Sequence, residues 1–112
     1  RYIRYADVLL MAAEANSRSG NDVKARDYLN QVRNRAFGDD SQASSASGST
    51  LTQEIWDERR LEFAGEGHRF FDLVRTGQAA DKITGFVEGK HEVFPIPQTE
   101  IDVSKLSQNP GY

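Results

Sequence analysis

The run TQEIWDERRLEFAGEGHRFFDLVRTG, residues 52–77, limits the fold more than any other stretch of this chain. It holds the densest charge and four large aromatics, Trp56, Phe63, Phe70 and Phe71. Phe70, Leu73 and Val74 recur at helical offsets, whereas Leu51, Ile55, Arg59, Leu61 and Phe63 surround a helix whose apolar face is incomplete. The glycines of Gly65–Glu66–Gly67 divide the run, so it reads as two helical pieces meeting at a joint. Opposite charges fall three residues apart at Asp57/Arg60, Arg59/Glu62, Glu66/Arg69, Arg69/Asp72 and Asp72/Arg75. Such neighbours meet on a helix surface and contribute roughly 0.2–0.5 kcal/mol each when exposed. Their number in one run points to a partly buried ion network; a solvated face with ordinary ion pairs is the simpler alternative.

The N-terminal part is also helical. Tyr5, Leu9, Ala12, Ala13 and Asn16 form a stripe widened by Val8 and Leu10, which predicts a helix over residues 2–18. Gly20 suits the left-handed position that ends it, and Asn21 or Asp22 suits the cap of a second helix over residues 23–37. The short connection predicts an antiparallel hairpin over residues 2–37. Ala13, Gly20, Ala25, Leu29 and Val32 also fit a tetratricopeptide-type unit, although Asn16 stands where an aromatic is usual. A simple hairpin and a divergent repeat both satisfy this pattern.

Residues 38–50, GDDSQASSASGST, carry no large apolar side chain and read as a flexible loop. Thr50 with Gln53 offers a capping box for the helical pair expected over residues 51–77. Residues 78–112 are expected to be extended and irregular. A hairpin or loop is expected around Glu88–Gly89–Lys90, one helical turn near residues 97–103, and a turn at Asn109–Pro110–Gly111. The prolines of FPIP, residues 94–97, hold that segment extended. The fold class is therefore all-α, helical hairpins followed by an irregular C-terminal segment, in one domain of 112 residues.

Composition narrows the function. A net charge of −3 with mixed signs lacks the basic patch of a nucleic-acid partner. No apolar run reaches the roughly 18 residues of a membrane span. The chain has no cysteine, which excludes disulfides, thiolate metal sites and a cysteine nucleophile within it. It begins with Arg1 rather than methionine, in what reads as a working helix, so it is expected to be a piece of a longer protein.

No catalytic, cofactor or metal residues are expected. His68 and His91 lie in no ligand-spaced motif, and Glu58 with Glu62 has no histidine at a useful spacing. Glu58, Glu62, Glu66 and Asp72 are the candidates for paired-carboxylate sugar hydrolysis. Each has an arginine within three residues, which keeps a carboxylate ionised rather than raising its pKa as a general acid needs. There is no nucleophile elbow or phosphate-binding glycine loop. Trp56, Tyr2, Tyr5 and Tyr28 could stack on sugar rings, with core or interface packing as the commoner use of such residues.

Five motifs in order, RYADVLLMAAEAN (4–16), YLNQVRNRA (28–36), ERRLEFAGEGHRFFDLVRTG (58–77), FPIP (94–97) and QNPGY (108–112), resemble the C-terminal part of SusD/RagB-type nutrient-binding proteins. Val103–Lys105 departs from the Asn-Pro turn of many relatives, and the Ser-rich loop is another variable place. The resemblance implies a superhelix of tetratricopeptide-like units in a surface lipoprotein of the outer membrane. Its lipid anchor would lie upstream of this chain. Such a protein captures oligosaccharides or other nutrients without covalent chemistry and passes them to a partner SusC-type TonB-dependent transporter. By the same resemblance Glu58, Arg59, Arg60, Glu66, Arg69 and Asp72 form a structural ion network, with FPIP and the C-terminal turn strapped across the frame. Ligand contacts would come largely from upstream residues and variable loops, so no ligand-binding residue is assigned. A tetratricopeptide-type adaptor that binds a peptide is the alternative reading, and a glycoside hydrolase is a third.

Overall fold

A computed structural model describes residues 3–112. Six helices follow in order: α1 (Tyr5–Arg18), α2 (Asp22–Phe37), α3 (Gly48–Glu62), α4 (Arg69–Arg75), α5 (Ala79–Lys82) and α6 (Gln98–Ser104). No strand occurs among the described residues. The all-α, tetratricopeptide-like hairpin architecture is therefore the fold. The chain divides into two compact units, one ending at Arg69 and the other Phe70–Tyr112.

In the first unit, Gly20 takes φ +82 and turns the chain between α1 and α2, and the Asn21 side chain accepts a hydrogen bond from the Lys24 N–H. Gly38, at φ +84, closes α2. Gly20 falls where the sequence places it, because only glycine enters the left-handed region without strain. Leu10, Ala13, Ala25, Leu29, Leu51 and Ile55 lose all solvent exposure and form the core between α1, α2 and α3.

The face that α1 buries differs from the expected stripe. Its buried residues are Asp7, Leu9, Leu10, Ala13, Glu14 and Ser17, while Tyr5 is 73% exposed. Apolar residues lie on both sides of this helix, so periodicity alone selects no single face. Burial of Asp7, Glu14 and Ser17 depends on partners: Arg59 for Asp7, Arg18 for Glu14, and the Thr52 hydroxyl, 2.6 Å away, for Ser17. Helix α1 begins at Tyr5, and Tyr2 of the expected helix lies outside the described residues.

The Ser-rich segment is held to α2 by its backbone. Asn30 exchanges two hydrogen bonds with Ser44, donating to its carbonyl at 3.2 Å and accepting from its N–H at 2.7 Å. Arg26 donates to the Ala46 carbonyl, and the Ser44 hydroxyl donates to Glu54. Helix α3 starts at Gly48, so Thr50 lies inside it and forms no capping box. The Gly48 N–H instead donates to the Asp22 carboxylate at the start of α2. A capping group supplied from another helix leaves no local sequence signal.

In the second unit, the two motifs FPIP and QNPGY clasp one another. Pro95 and Pro97 have no N–H, so the backbone between them joins no ladder. Side chains supply what is missing. The Gln108 amide accepts from the Ile96 N–H at 2.8 Å and donates to the Ile96 carbonyl at 2.9 Å. Asn109 donates to the Phe94 carbonyl, and the Tyr112 hydroxyl donates to the Val93 carbonyl. The Lys90 ammonium stands 4.8 Å from the Tyr112 ring centre. Around Glu88–Gly89–Lys90 the chain turns without pairing strands. There His91 Nδ1 accepts from the Val87 N–H, and the Glu92 carboxylate accepts from the Gly89 N–H, which holds it below the usual carboxylate pKa.

Gln108→Ala removes both bonds to Ile96 and leaves two half-buried backbone groups without partners. The expected loss of stability is about 1–3 kcal/mol in chemical denaturation. Gln108→Glu, which keeps the acceptor and loses the donor, should fall between wild type and Gln108→Ala.

Candidate functional site

The charged run of α3 and the turn after it organise the first unit. Arg4, just before α1, uses Nε and Nη2 to grip both oxygens of Glu66 at 3.0 and 2.7 Å. The same guanidinium donates to the Glu62 carboxylate at 2.9 Å and to the Glu62 main-chain carbonyl at 3.0 Å. The last bond satisfies a carbonyl that the end of α3 leaves without an intrahelical donor. Arg35, in the last turn of α2, donates to the same Glu62 oxygen at 2.6 Å. One carboxylate therefore joins the start of α1 to the ends of α2 and α3.

Three further pairs, made by two arginines, lie nearby. Arg59 meets Asp7 at 2.7 Å with both side chains largely buried. Arg33 meets Glu58 at 2.9 Å and Glu54 at 3.3 Å. Phe63 is buried, and the guanidiniums of Arg4 and Arg59 lie over its ring, their central carbons 4.9 and 5.1 Å from its centre. Guanidinium is weakly hydrated and planar, so it stacks on an aromatic face while its edge bonds carboxylates. His68 packs on the same ring at 4.8 Å between centres. The turn that brings Glu66 and His68 to this point requires φ +82 at both Gly65 and Gly67.

The residues singled out in the sequence are thus distributed unevenly. Glu58, Arg59 and Glu66 take partners from α2, from α1 and from Arg4, at sequence separations of 25, 52 and 62 residues. Asp72 is buried and pairs with Arg75 at 2.7 Å, as its three-residue spacing suggests. Arg60 is exposed, and no ion pair to Arg60 or Arg69 occurs among the described residues. Asp7, Arg4, Arg33 and Arg35 complete the clusters and were not legible as partners. The available signal was weak: Arg4 and Asp7 lie within the first motif, and Arg33 and Arg35 within the second.

The electrostatics follow the geometry. Burial works to raise the Glu62 pKa, but hydrogen bonds from Arg35 and Arg4 overcome it and hold the group below its ordinary value. Arg4 likewise lowers Glu66, and the two carboxylates raise Arg4 in turn. These acids are fixed as carboxylates, the opposite of what a general acid requires. Among the described residues no group of three or more His, Cys, Asp or Glu is placed to hold a metal ion.

A groove of about 610 Å³ opens between the start of α1 and the end of α2, lined by Arg4, Tyr5, Leu9, Gln31, Val32 and Asn34 among others. Of the aromatics considered for stacking, Tyr5 lines this groove, Tyr28 is half-buried against the core, and Trp56 is half-buried with its indole N–H unpartnered. Tyr2 lies outside the described residues. In the second unit a smaller pocket of about 300 Å³ is lined by Phe70, Phe86, His91, Phe94 and Tyr112 among others.

Comparison with known proteins gives a consistent result. The model of the SusD family matches residues 1–93. The chain is 32% identical over 126 residues to SusD-like protein P25 of Formosa agariphila, covering 97% of this chain and 24% of that protein. It is 33% identical to the starch-binding protein SusD of Bacteroides thetaiotaomicron, covering 97% of this chain and 21% of that one. A crystal structure of a SusD homolog from Bacteroides thetaiotaomicron superposes with a TM-score of 0.86 at 35% identity, over 97% of this chain and 25% of that chain. The chain thus spans about a quarter of the length of these relatives.

Two outcomes test the ion clusters. Arg59→Ala leaves the Asp7 carboxylate buried beside an empty space and should cost about 3–5 kcal/mol, whereas exposed Arg60→Ala should stay within about 0.5 kcal/mol of wild type. Equal melts would show that the α3 pairs are solvated. The second outcome concerns pH. A carboxylate whose pKa is lowered by folding stabilises the native state above its unfolded pKa and loses that contribution as pH falls through the folded value. Stability should therefore drop as pH falls below about 4.5, the ordinary value for Glu62 and Glu66. Arg4→Leu should flatten that acid limb in denaturation curves recorded from neutral pH downward.

Proposed function

The chain belongs to the SusD family, and from that premise we propose that its parent protein binds carbohydrate and that these 112 residues serve mainly as its frame. The observation that carries this reading is the fate of the acids in the ERRLEFAGEGHR run. Glu58, Glu62 and Glu66 are each bound by an arginine from elsewhere in the fold, and Arg4 and Arg35 hold Glu62 ionised. A network of this kind supports rigidity, and Glu58, Arg59 and Glu66 contribute to it, while Asp72 pairs with Arg75 within the second unit. A hydrolase needs one carboxyl with a raised pKa across a cleft from a second, whereas Glu62 and Glu66 are both held below their ordinary value.

The mechanism is capture without covalent chemistry, followed by delivery of oligosaccharide to a SusC-type TonB-dependent transporter. The similarity to the starch-binding protein of Bacteroides thetaiotaomicron supports a sugar ligand. On this reading the parent is a surface-exposed outer-membrane protein held by a lipid anchor outside these residues. None of the described helices is long and apolar enough to cross a membrane. The sugar is contacted mainly by parts of the parent beyond this segment, for which the helices provide a fixed platform.

Calorimetric titration of the full-length parent with a panel of oligosaccharides, maltoheptaose included, should give saturable binding. The same mixtures should release no new reducing ends on prolonged incubation. Saturable peptide binding with no response to any glycan would replace this reading with a helical-repeat adaptor; released reducing ends would replace it with a hydrolase.

A further inference from the structure

The turn at residues 87–91 is closed by a side chain that changes charge near neutral pH. The Val87 N–H donates to His91 Nδ1 at 2.9 Å, and the Val87 carbonyl accepts from the Lys90 and His91 N–H groups at 3.2 and 3.0 Å. Both backbone groups of Val87 are therefore held. The first of these bonds requires a neutral imidazole, because Nδ1 accepts only while the ring carries its proton on Nε2. An imidazolium has an N–H at both positions and would turn a hydrogen toward the hydrogen of Val87.

The His91 ring is also part of a wall. It meets Phe86 edge to face with ring centres 5.8 Å apart, and it lines the pocket of about 300 Å³ together with Phe70, Phe94 and Tyr112. Beside it, Lys90 links the turn to the C-terminal motif. The Lys90 ammonium stands 4.8 Å from the Tyr112 ring centre, and its methylenes lie so close to Gly111 that a Cβ added there would come within 3.1 Å of them. Tyr112 in turn donates to the Val93 carbonyl.

We propose that His91 is a pH-operated latch, whose protonation opens the 87–91 turn and, through Lys90, loosens the hold of that turn on QNPGY. The open turn accommodates one more proton than the closed one, so falling pH favours the open form across the mildly acidic range in which imidazoles titrate. Charged neighbours act in opposite directions. The Glu92 carboxylate, held by the Gly89 N–H, favours an imidazolium, and the Lys90 ammonium disfavours it. Glu88 lies in the same turn, and Tyr112 is the titratable side chain that lines the pocket from the C-terminal segment; Phe70, Phe86 and Phe94 carry no charge. The latch belongs to the second unit and stands whether or not the parent's ligand is a sugar.

Hydrogen–deuterium exchange of the full-length parent tests this, read by peptide mass spectrometry with labelling times scaled for the intrinsic exchange rate. Between about pH 7.5 and about pH 5.0, the segment over residues 86–92 should become about fivefold less protected, and residues 108–112 should loosen with it. Both conditions lie above 4.5, the ordinary value for Glu62 and Glu66, so the ion clusters of the first unit stay charged. His91→Asn places a non-titrating acceptor at the position of Nδ1 and should keep the turn closed at both pH values. His91→Leu should leave it open at both. Each variant retains His68, the chain's other histidine, so titration of that ring is separated from the effect. A wild-type turn equally protected at both pH values would overturn the latch, as would a His91→Asn turn that opens like wild type or a His91→Leu turn that stays closed. Opening of the turn with residues 108–112 unchanged would overturn the step through Lys90.

Discussion

The first unit depends on the meeting of Arg4 with Glu62 and Glu66. Four hydrogen bonds leave one guanidinium, and they bind the end of α3, the turn after it and the residue that starts α1. Arg35 closes the same knot from the end of α2. Helix ends are where backbone groups lack partners and where a bundle frays first. A cluster joining three such ends therefore resists fraying in all of them together, and low salt and neutral pH favour it most. The buried Phe63 ring packs against the guanidiniums of both Arg4 and Arg59.

This arrangement separates two uses of charge. Carboxylates intended for acid–base work are kept partly free, with environments that push their pKa values apart. Here carboxylates and guanidiniums are matched, and Glu62 and Glu66 are lowered together. The energetic return is geometric definition more than stability, since desolvation offsets much of the attraction within a buried pair. The second unit solves a related problem with neutral groups: the Phe94 carbonyl and the Ile96 N–H and carbonyl lie outside any helix or strand, and Asn109 and Gln108 satisfy them, while Tyr112 serves the Val93 carbonyl.

The hairpin of α1 and α2 was legible because its signals are local: helical spacing, Gly20 as the left-handed turn between the helices, and Asn21 as a cap. The joint at Gly65–Glu66–Gly67 was legible for the same reason. The partners of the acids were not. Asp57/Arg60 and Arg59/Glu62 satisfy the three-residue rule on paper, yet Arg59 turns inward to Asp7 and Glu62 is taken by Arg4 and Arg35. A long side chain on a packed helix chooses between a near neighbour in water and a more distant one in a drier site. The drier site strengthens the interaction, so packing decides. The start of α3 escaped detection similarly, because Asp22 caps Gly48 from another helix.

By itself, then, the sequence determined that this chain is a run of helices broken at glycines and that its motifs are those of the SusD family. Helix spacing, left-handed turns and motif order depend on residues close together along the chain. Only the tertiary structure decided which arginine serves which carboxylate, which side of α1 faces the core, and how QNPGY holds FPIP. Those outcomes depend on the packing of residues as many as 62 positions apart. In such contacts, burial, and not spacing, sets the strength of each interaction.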